Sequence, residues 1–331
     1  MQLEELLEGE GLHEPLGNRC VCEPASWMIA NVSVIKITQV GTFTETSPPV
    51  KLSWPNRAGF RSFGGMDFET LTLTHGAADS ADAGIVTITL NRPEKKNAIN
   101  AQMWQDLKTV LRGIVDDDAA RCVVLTGAGG EFCSGADLSA RGDGAPRHQL
   151  VAMREVSEVA MALHRLPMPT IAKVDGVAVG AGCNMALGCD LIVASDRARF
   201  SEIFAKRGLA LDFGGTWLLP RLIGLHRAKE LAFFADVISA AEAERIGLVN
   251  RVVPTADLDE FVGDWSRRIA GGPPLALRLS KKLLNEGSML TMDQALEAEG
   301  WTQTVTIGSS KDTTEAMLAF VEKRTPNFRG R

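Results

Sequence analysis

Apolar residues from position 85 onward recur with two alternating periods. Residues 85–90 (IVTITL) alternate between apolar and threonine positions, which predicts a strand. Residues 101–115 carry apolar side chains three or four positions apart, which predicts a helix with one buried face. This change of period between neighbouring segments indicates an α/β chain.

The same patterns continue along the chain. Short apolar runs predict strands over residues 122–126, 170–174 and 191–194, and helical spacing predicts helices over residues 150–166 and 181–187. Pro167 and Pro169 end the helix over 150–166, because proline lacks the N–H that a helix interior needs. Strands separated by helices imply βαβ units with right-handed crossovers.

Beyond about residue 240 the pattern is mostly helical. Helices are predicted over residues 241–246, 258–270, 274–284, 292–307 and 311–323. Residues 1–65, in contrast, carry prolines and glycines without a sustained period, so we expect them to be poorly ordered. We therefore expect an N-terminal extension (1–65), a core (66–255) and a helical C-terminal region (256–331).

Composition and charge narrow the function classes. The 331 residues are 45% hydrophobic and 23% charged, with a formal net charge of −6, which is ordinary for a globular protein. No basic stripe is evident, so nucleic acid is not an expected partner. Every apolar run is broken before the roughly 20 residues that a membrane span needs. The acidic start, MQLEELLEGEG, does not resemble a signal peptide.

The cysteines and histidines indicate neither a disulfide framework nor a metal site. The six cysteines are Cys20, Cys22, Cys122, Cys133, Cys183 and Cys189. Their spacings match no zinc pattern, and we interpret them as reduced thiols of a cytoplasmic enzyme. The five histidines form no metal-ligand or Ser-His-Asp arrangement.

A glycine-rich segment provides the first candidate chemistry. The strand over residues 170–174 runs into GVAVGAG (176–182), and the helix over 181–187 follows at once. The first amides of a helix lack partners inside it, so they can donate hydrogen bonds to a developing oxyanion. The alternative is that the glycines only allow a close helix contact.

Asp212 is the second candidate. It lies among Gly208, Phe213 and Gly214 in an apolar loop. Poor solvation raises the pKa of a carboxyl and increases its basicity near neutral pH, so Asp212 is a candidate base or nucleophile. The alternative is that its side chain caps a helix that begins near residues 215–217.

Four motifs, in this order, resemble the crotonase family, which is the enoyl-CoA hydratase and isomerase superfamily. They are NRPEKKNAIN (91–100), GAGGEFCSGADL (127–138), VDGVAVGAGCNMALGCD (174–190) and GLALDFGGTWLLPRLIG (208–224). In the family they are the first oxyanion element, the acyl-CoA pocket loop, the second oxyanion element and the lower active-site wall. The resemblance implies a spiral of ββα units with a helical C-terminal part that assembles trimers, commonly paired into hexamers.

The segment that begins at Met66 reads like the start of a crotonase chain. We therefore expect Met66 to be the working start, and residues 1–65 to come from an upstream start site. The alternative is a genuine N-terminal tail with a partner of its own.

The resemblance also implies site residues. The backbone amides of Ala98 and Ala181 would hold the thioester oxygen of an acyl-CoA substrate. The residues that would contact the substrate or its coenzyme A are Lys95, Lys96, Ser134, Gly135, Ala136, Leu138, Asn184 and Phe204. The two lysines have a second interpretation as a solvated face. Trp104, Met153 and Trp217 would line the acyl pocket or belong to the core. No cofactor is implied beyond the coenzyme A of the substrate.

The proton-transfer positions depart from the hydratase pattern. Hydratases of the family use two glutamates, and the aligned positions here are Asn184 and Phe204, neither of which accepts a proton at neutral pH. Glu202, two residues earlier, is interpreted as a structural or surface residue. Asp212 aligns with an acid that shuttles protons in dienoyl-CoA isomerases and is the nucleophile of an aryl-CoA dehalogenase branch. Its motif most resembles ring-opening epoxide isomerases of the phenylacetate pathway.

Three functional hypotheses follow. The first is an enoyl-CoA isomerase with Asp212 as the base. The second is a hydratase or other lyase of the same fold, in fatty-acid or aromatic degradation, which uses Asp212, Glu202 or a bound water. The third is a non-catalytic protein that binds CoA esters. The resemblance implies an acyl-CoA thioester as ligand and a homotrimer, or a dimer of trimers, as the assembly.

Overall fold

The computed structural model describes residues 67–139 and 148–330, all of which belong to one compact unit. The expected disorder of residues 1–65 and the interpretation of Met66 as a start site lie outside the described residues.

Strands are interspersed with helices as far as β9, and the described elements after β9 are all helical. The sequence pattern predicted this change but placed it at about residue 240, before β9. The described strands are β1 (Leu71–His75), β2 (Ile85–Leu90), β3 (Cys122–Gly127), β4 (Thr170–Val174), β5 (Val177–Val179), β6 (Leu191–Ser195), β7 (Arg199–Ser201), β8 (Ile238–Ser239) and β9 (Arg251–Val253). The described α-helices are α1 (Ala101–Val115), α2 (Gln149–His164), α3 (Ala181–Leu187), α4 (Gly215–Ile223), α5 (Leu225–Phe234), α6 (Ala240–Arg245), α7 (Leu258–Ala270), α8 (Pro274–Gly287), α9 (Met292–Ser309) and α10 (Lys311–Glu322).

A six-stranded sheet in the order β1-β2-β3-β4-β6-β9 forms the centre of the unit. β1 runs antiparallel to β2, and the other strands are parallel. Successive residues of β3 face opposite sides, as the pleat requires. Leu125 packs into the core with Val110 and Ile114 of α1, whereas Val124 packs with Val262 of α7. Both faces of the parallel sheet are therefore covered by helices.

A smaller sheet has the strand order β5-β7-β8, and its strand β5 connects β4 to α3. β5 begins only three residues after β4 ends, and Gly180 separates β5 from α3. Its strands have two or three residues each. Such short segments give no readable period, and the sequence pattern did not predict them.

Most predicted element bounds are confirmed. β2, α1, β4, α3 and α7 begin and end at the predicted residues. The helix predicted over 150–166 ends earlier, at His164, because the residue before Pro167 disfavours helical backbone. α8 and α9 run past their predicted ends, to Gly287 and Ser309.

The C-terminal helices leave much apolar surface uncovered. No residue of α8 or α9 is buried. Large apolar side chains exposed on α9 and α10 are Met292, Leu296, Trp301, Val305, Ile307, Met317, Leu318, Phe320 and Val321. Apolar surface of this extent is typical of an interaction site. In the part of the chain that the structure describes, none of the helices is long and apolar enough to span a membrane.

Candidate active site

The strip of residues 133–137 joins the two motifs that were expected to form an oxyanion hole. On one side, the Ile99 N–H donates to the Gly135 carbonyl at 2.8 Å. On the other side, the Cys133 N–H donates to the Val177 carbonyl, also at 2.8 Å. Main-chain pairing therefore fixes the end of the first motif and the beginning of the second against one shared strip.

Gly135 is a point of close approach between this strip and the start of α3. Its φ is +94°, and a Cβ added there would lie 2.8 Å from the Val179 carbonyl oxygen and 3.7 Å from the Ala181 nitrogen. Real Cβ atoms do not come as close as 2.8 Å to an oxygen. Glycine at this position therefore lets the strip lie directly against the start of α3.

A left-handed turn at Lys96 and Asn97 (φ +50° and +55°) precedes Ala98. Asn97 is fully buried, and its Oδ1 accepts the Arg92 N–H at 2.9 Å. Its Nδ2 donates to the carbonyls of Ala128 and Glu131 at 2.9 and 2.7 Å. Asparagine tolerates left-handed backbone better than most residues, and these three bonds hold the turn in place.

Arg92 fixes the Ala98 peptide from the other side. Its Nη1 donates to the Ala98 carbonyl at 2.6 Å and to Asp137 Oδ2 at 2.9 Å. Hydrogen bonds from Ser139, together with Arg92, lower the pKa of Asp137 to about 2. Asp137 is therefore an ionised structural residue, in agreement with its position in a strip held by main-chain pairing.

The two expected oxyanion amides differ in their present partners. The Ala98 N–H donates to the Lys95 carbonyl at 3.1 Å. The Ala181 N–H begins α3 and has no backbone acceptor within the described residues. The Ala181 hydrogen is therefore available to a ligand, whereas the Ala98 hydrogen is available only in a three-centre bond shared with the Lys95 carbonyl, of the kind common at helix termini.

Asn184 links α3 to two acidic residues. It is fully buried and lies one helical turn after Ala181. Its Nδ2 donates to Glu202 Oε2 at 3.3 Å and to the Asp212 main-chain carbonyl at 3.0 Å. A Cβ on Gly215 would lie 2.4 Å from this Nδ2. The glycine therefore makes room for the side chain that ties the Asp212 loop to the second oxyanion element.

The Asp212 carboxyl is half-buried, and its Oδ1 has no hydrogen-bond partner among the described residues. Burial raises its pKa to about 6. The carboxyl does not cap α4, because Gly214 is the cap residue and no side chain bonds there. The Gly215 N–H is instead bonded to the Asp212 main-chain carbonyl at 2.9 Å. The capping interpretation is wrong, and the carboxyl is free to accept a proton.

Phe213, the next residue, has left-handed backbone with φ +49°. Such a conformation costs roughly 1–2 kcal/mol for a residue with a Cβ. Its ring is buried and stacks on Trp104 of α1, with centroids 5.7 Å apart. This packing holds the turn that sets the direction of the chain at Asp212.

Glu202 lies inside the protein: it is 1% exposed and follows β7 directly. Burial, with a further contribution from the charge of Asp212, raises its pKa to about 7. Glu202 is therefore not a surface residue, which was one of the two interpretations drawn from the sequence. Phe204, at the second hydratase-glutamate position, is also buried. Its ring would lie 3.8 Å from a Cβ on Gly180, so it forms an apolar wall beside the start of α3.

The positions assigned to coenzyme A contacts are mixed in exposure. Those on the surface are Lys95, Lys96, Ala136 and Leu138. Lys96 Nζ forms an ion pair with Glu131 Oε1 at 3.1 Å, which a phosphate would have to displace. Ser134 Oγ donates to the Lys95 carbonyl at 3.2 Å. The structure therefore places these residues along one edge, beside the first oxyanion motif.

A groove of about 780 Å³ lies between α2, α4 and α8. Phe213 and Trp217 line it, whereas Met153 is exposed on α2 and does not. Neither candidate amide lines it, nor does Asn184. The groove therefore adjoins the candidate site at the turn of residues 213–214, and an acyl-pocket role for Trp217 stays a prediction.

Sequence reasoning missed three residues that position the site: Arg92, Asn97 and Phe213. Both Arg92 and Asn97 lie in NRPEKKNAIN. The asparagine is a sign of a turn, because asparagine tolerates left-handed backbone, but no such sign marks Arg92. Phe213 gives no such sign, because phenylalanine does not favour the backbone that it adopts there.

Known proteins share the sequence and the fold of this chain. Residues 80–331 match the family model described as enoyl-CoA hydratase/isomerase. The 1,2-epoxyphenylacetyl-CoA isomerase of Escherichia coli (strain K12) is 39% identical over 254 residues, which are 76% of this chain and 97% of that protein. A probable enoyl-CoA hydratase of Rhodobacter capsulatus is 40% identical over 257 residues, which are 75% of this chain and 95% of that protein. The crystal structure of an enoyl-CoA hydratase from Bacillus anthracis superposes on this chain with a TM-score of 0.75 at 33% sequence identity. The match covers 80% of this chain and 100% of the Bacillus anthracis chain.

The chain belongs to the enoyl-CoA hydratase/isomerase family. Its fold is the crotonase fold with a helical C-terminal region, as the four motifs implied. It is thus an enzyme of this family, but hydratases and an isomerase match it at similar identity, so the relatives do not distinguish the two reactions. Within the described ranges, no group of three or more His, Cys, Asp or Glu side chains is arranged to hold a metal ion.

Proposed function

We propose that this chain is an enoyl-CoA isomerase in which Asp212 is the base. The observation that carries the proposal is a half-buried, unpartnered carboxyl in a site whose two hydratase-glutamate positions hold Asn184 and Phe204. A pKa of about 6 leaves Asp212 mostly ionised at neutral pH and basic enough to take a proton from an activated carbon. The isomerase among the relatives, at 39% identity, supports this choice.

The reaction would move a proton between two carbons of an acyl-CoA thioester. Asp212 removes a proton α or γ to the thioester, and the electron pair moves onto the thioester oxygen as an enolate. The amides of Ala98 and Ala181 stabilise that oxygen, because they carry fixed dipoles that need little reorganisation. The proton returns at a different carbon, so that a double bond or ring is rearranged without net gain or loss of atoms.

The same proposal places the coenzyme A portion along the edge formed by Lys95, Lys96 and the strip 134–138, with Asn184 and Phe204 beside the acyl group. It includes no cofactor beyond that coenzyme A. It also includes a cytoplasmic location, which the four described cysteines fit because all are buried and outside disulfides.

Hydration is the second candidate, because Glu202 is a second buried acid. It lies 3.3 Å from Asn184 and has a pKa raised to about 7. Hydration needs an acid and a base near one water, and Glu202 with Asp212 would supply two titratable groups. Two relatives named as hydratases, at 37% and 40% identity, support this second candidate.

A substrate panel separates the candidates. We expect the purified protein to convert 3-hexenoyl-CoA to its conjugated isomer, so that the absorbance of the conjugated thioester rises. Crotonyl-CoA should keep its absorbance, because no water is added. Loss of absorbance with crotonyl-CoA would instead support hydration. No change with either ester, or with dienoyl and epoxy esters, would favour the non-catalytic hypothesis.

The assembly proposed for this enzyme is a homotrimer or a dimer of trimers, and the exposed apolar faces of α9 and α10 support it. Light scattering should give three or six times the chain mass of 35.6 kDa. Phe320→Glu, at a side chain that is 85% exposed, should lower that mass toward a monomer by burying a charge in the interface. Lys311→Glu, exposed at the start of the same helix, is the control. A wild-type monomer would contradict the proposal.

A further inference from the structure

A buried corner between α3 and the Asp212 loop contains more acceptors than donors. Three side-chain oxygens there have no partner among the described residues: Asn184 Oδ1, Glu202 Oε1 and Asp212 Oδ1. The Asn184 Nδ2 group is already engaged by Glu202 Oε2 and by the Asp212 main-chain carbonyl. An ionised carboxylate only accepts hydrogen bonds. With both acids ionised, the corner would hold unpartnered acceptors beside two negative charges.

A single proton on Glu202 relieves this imbalance. Protonation converts one carboxyl oxygen into a donor that a neighbouring acceptor can use. Glu202 is the better place for the proton, since it is 1% exposed whereas Asp212 is only half-buried. Burial penalises the charged form most where water is most completely excluded. The pKa values, about 7 for Glu202 and about 6 for Asp212, have the same order.

We propose that Glu202 is a positioning residue that the active site needs in its protonated form. The Glu202 carboxyl accepts a hydrogen bond from the Asn184 amide in either protonation state, and Asn184 in turn holds the Asp212 main chain. Ionised Glu202 places a second negative charge behind Asp212 and opposes the enolate that the reaction forms. This inference rests on the proposed role of Asp212 as the base.

Two titratable groups act on the Glu202 carboxyl. They are the Cys183 thiol from α3, whose hydrogen bond favours the ionised form of Glu202, and the Asp212 carboxyl from the loop before α4, whose charge opposes it. Burial holds the pKa of Cys183 well above its usual value, so the thiol stays neutral. α5 packs beside the turn Ile203–Arg207, but none of its described charged side chains contributes to the shift at Glu202. The charge that opposes ionisation of Glu202 therefore comes from Asp212.

A bell-shaped dependence of activity on pH follows. Activity should rise with pH through about 6, as Asp212 loses its proton. It should fall with pH through about 7, as Glu202 loses its own. The activity should be greatest at the pH where Asp212 is ionised and Glu202 is protonated.

Glu202→Gln is the decisive variant, because glutamine keeps the shape and the donor of a protonated glutamate but cannot ionise. With 3-hexenoyl-CoA as substrate, we expect near wild-type kcat at pH 6.5 and an unchanged KM. At pH 8 the variant should exceed the wild type by about tenfold, since a group with a pKa near 7 is then roughly 90% ionised. Glu202→Ala should be slower at every pH, because Asn184 loses its partner. Glu260→Gln, exposed on α7, should leave the profile unchanged.

Two results would overturn the inference. One is a Glu202→Gln enzyme that keeps the wild-type decline at alkaline pH, and the other is a variant that is inactive at every pH. An inactive variant would assign the proton transfer to Glu202 itself. Failure of the proposed function is separate, because it appears as full activity of Asp212→Asn whatever happens at position 202.

A stability measurement provides a readout that needs no turnover. A glutamate whose pKa is higher in the folded state than in the unfolded one contributes stability below its unfolded pKa. That stability is lost as pH rises through the folded pKa of about 7. The melting temperature of Glu202→Gln minus that of the wild type should therefore be larger at pH 8 than at pH 5. An equal difference at both pH values would contradict a protonated Glu202.

Discussion

Asp212→Asn is expected to lower kcat by about 10³-fold or more, while binding of a CoA ester is retained. Asparagine has nearly the same shape as aspartate, but its amide does not accept a proton at neutral pH. The Asp212 main-chain carbonyl, which receives the Asn184 and Gly215 hydrogen bonds, is unchanged by this substitution. The loop should therefore keep its position. Steady-state kinetics with 3-hexenoyl-CoA and a binding titration with a saturated acyl-CoA measure the two effects separately.

Asp118→Asn makes the same chemical change at an exposed residue and should leave kcat unaltered. The pH profile adds a second check. Wild-type activity should fall as pH drops below about 6, where Asp212 becomes protonated, and the residual activity of Asp212→Asn should show no such decline. A variant that turns over substrate at the wild-type rate would exclude Asp212 as the base and leave only the family membership.

The sequence alone predicted β2, β3, β4 and β6 of the large sheet and the helices α1, α2 and α7, but not the edge strands β1 and β9. β2 and α1 each bury one clear set of apolar side chains, so their periods of two and about 3.6 are visible in the residues. β5 and β7 have three residues each and depend on pairing with distant segments, such as the bridge between Cys133 and Ala178. Long-range pairing of this kind leaves no local pattern to read.

The candidate site was predictable to a different extent. Asp212 stood out because a carboxylate in an apolar glycine-rich loop is unusual, and the structure gives it the expected raised pKa. Glu202 was misjudged, because its burial depends on the packing of α3 over the segment after β7, which one sequence does not reveal. The contact with Asn184, 18 residues earlier, is visible only in the fold. Which residue types could transfer a proton was therefore easier to predict than how deeply each is buried, and burial determines whether a carboxyl is ionised.

Gly135→Ala is expected to lower kcat by about 10²-fold, the effect typical of losing one oxyanion donor. The added Cβ would lie 2.8 Å from the Val179 carbonyl oxygen, and the φ of +94° suits no residue with a side chain. Because the strip is hydrogen-bonded to Ile99 on its other side, it cannot move away without carrying the first motif with it. The separation between the Ala98 and Ala181 amides should therefore change. We also expect a loss of about 1–3 kcal/mol in the free energy of unfolding, so kinetics should be measured well below the melting temperature.

Gly247→Ala is the matched control for backbone strain. Its φ is +83°, close to that of Gly135, but the nearest heavy atom to an added Cβ is the Leu222 carbonyl oxygen at 3.8 Å, an ordinary contact. This variant should lose stability through left-handed backbone alone, by about 1 kcal/mol, and should keep its kcat. If Gly135→Ala loses stability as Gly247→Ala does but keeps full kcat, the close approach at Gly135 does not set the spacing of the two amides. If only Gly135→Ala loses kcat, with little change in KM, the lost interaction is one made in the transition state. That is the behaviour expected of a main-chain oxyanion hole built around residue 135.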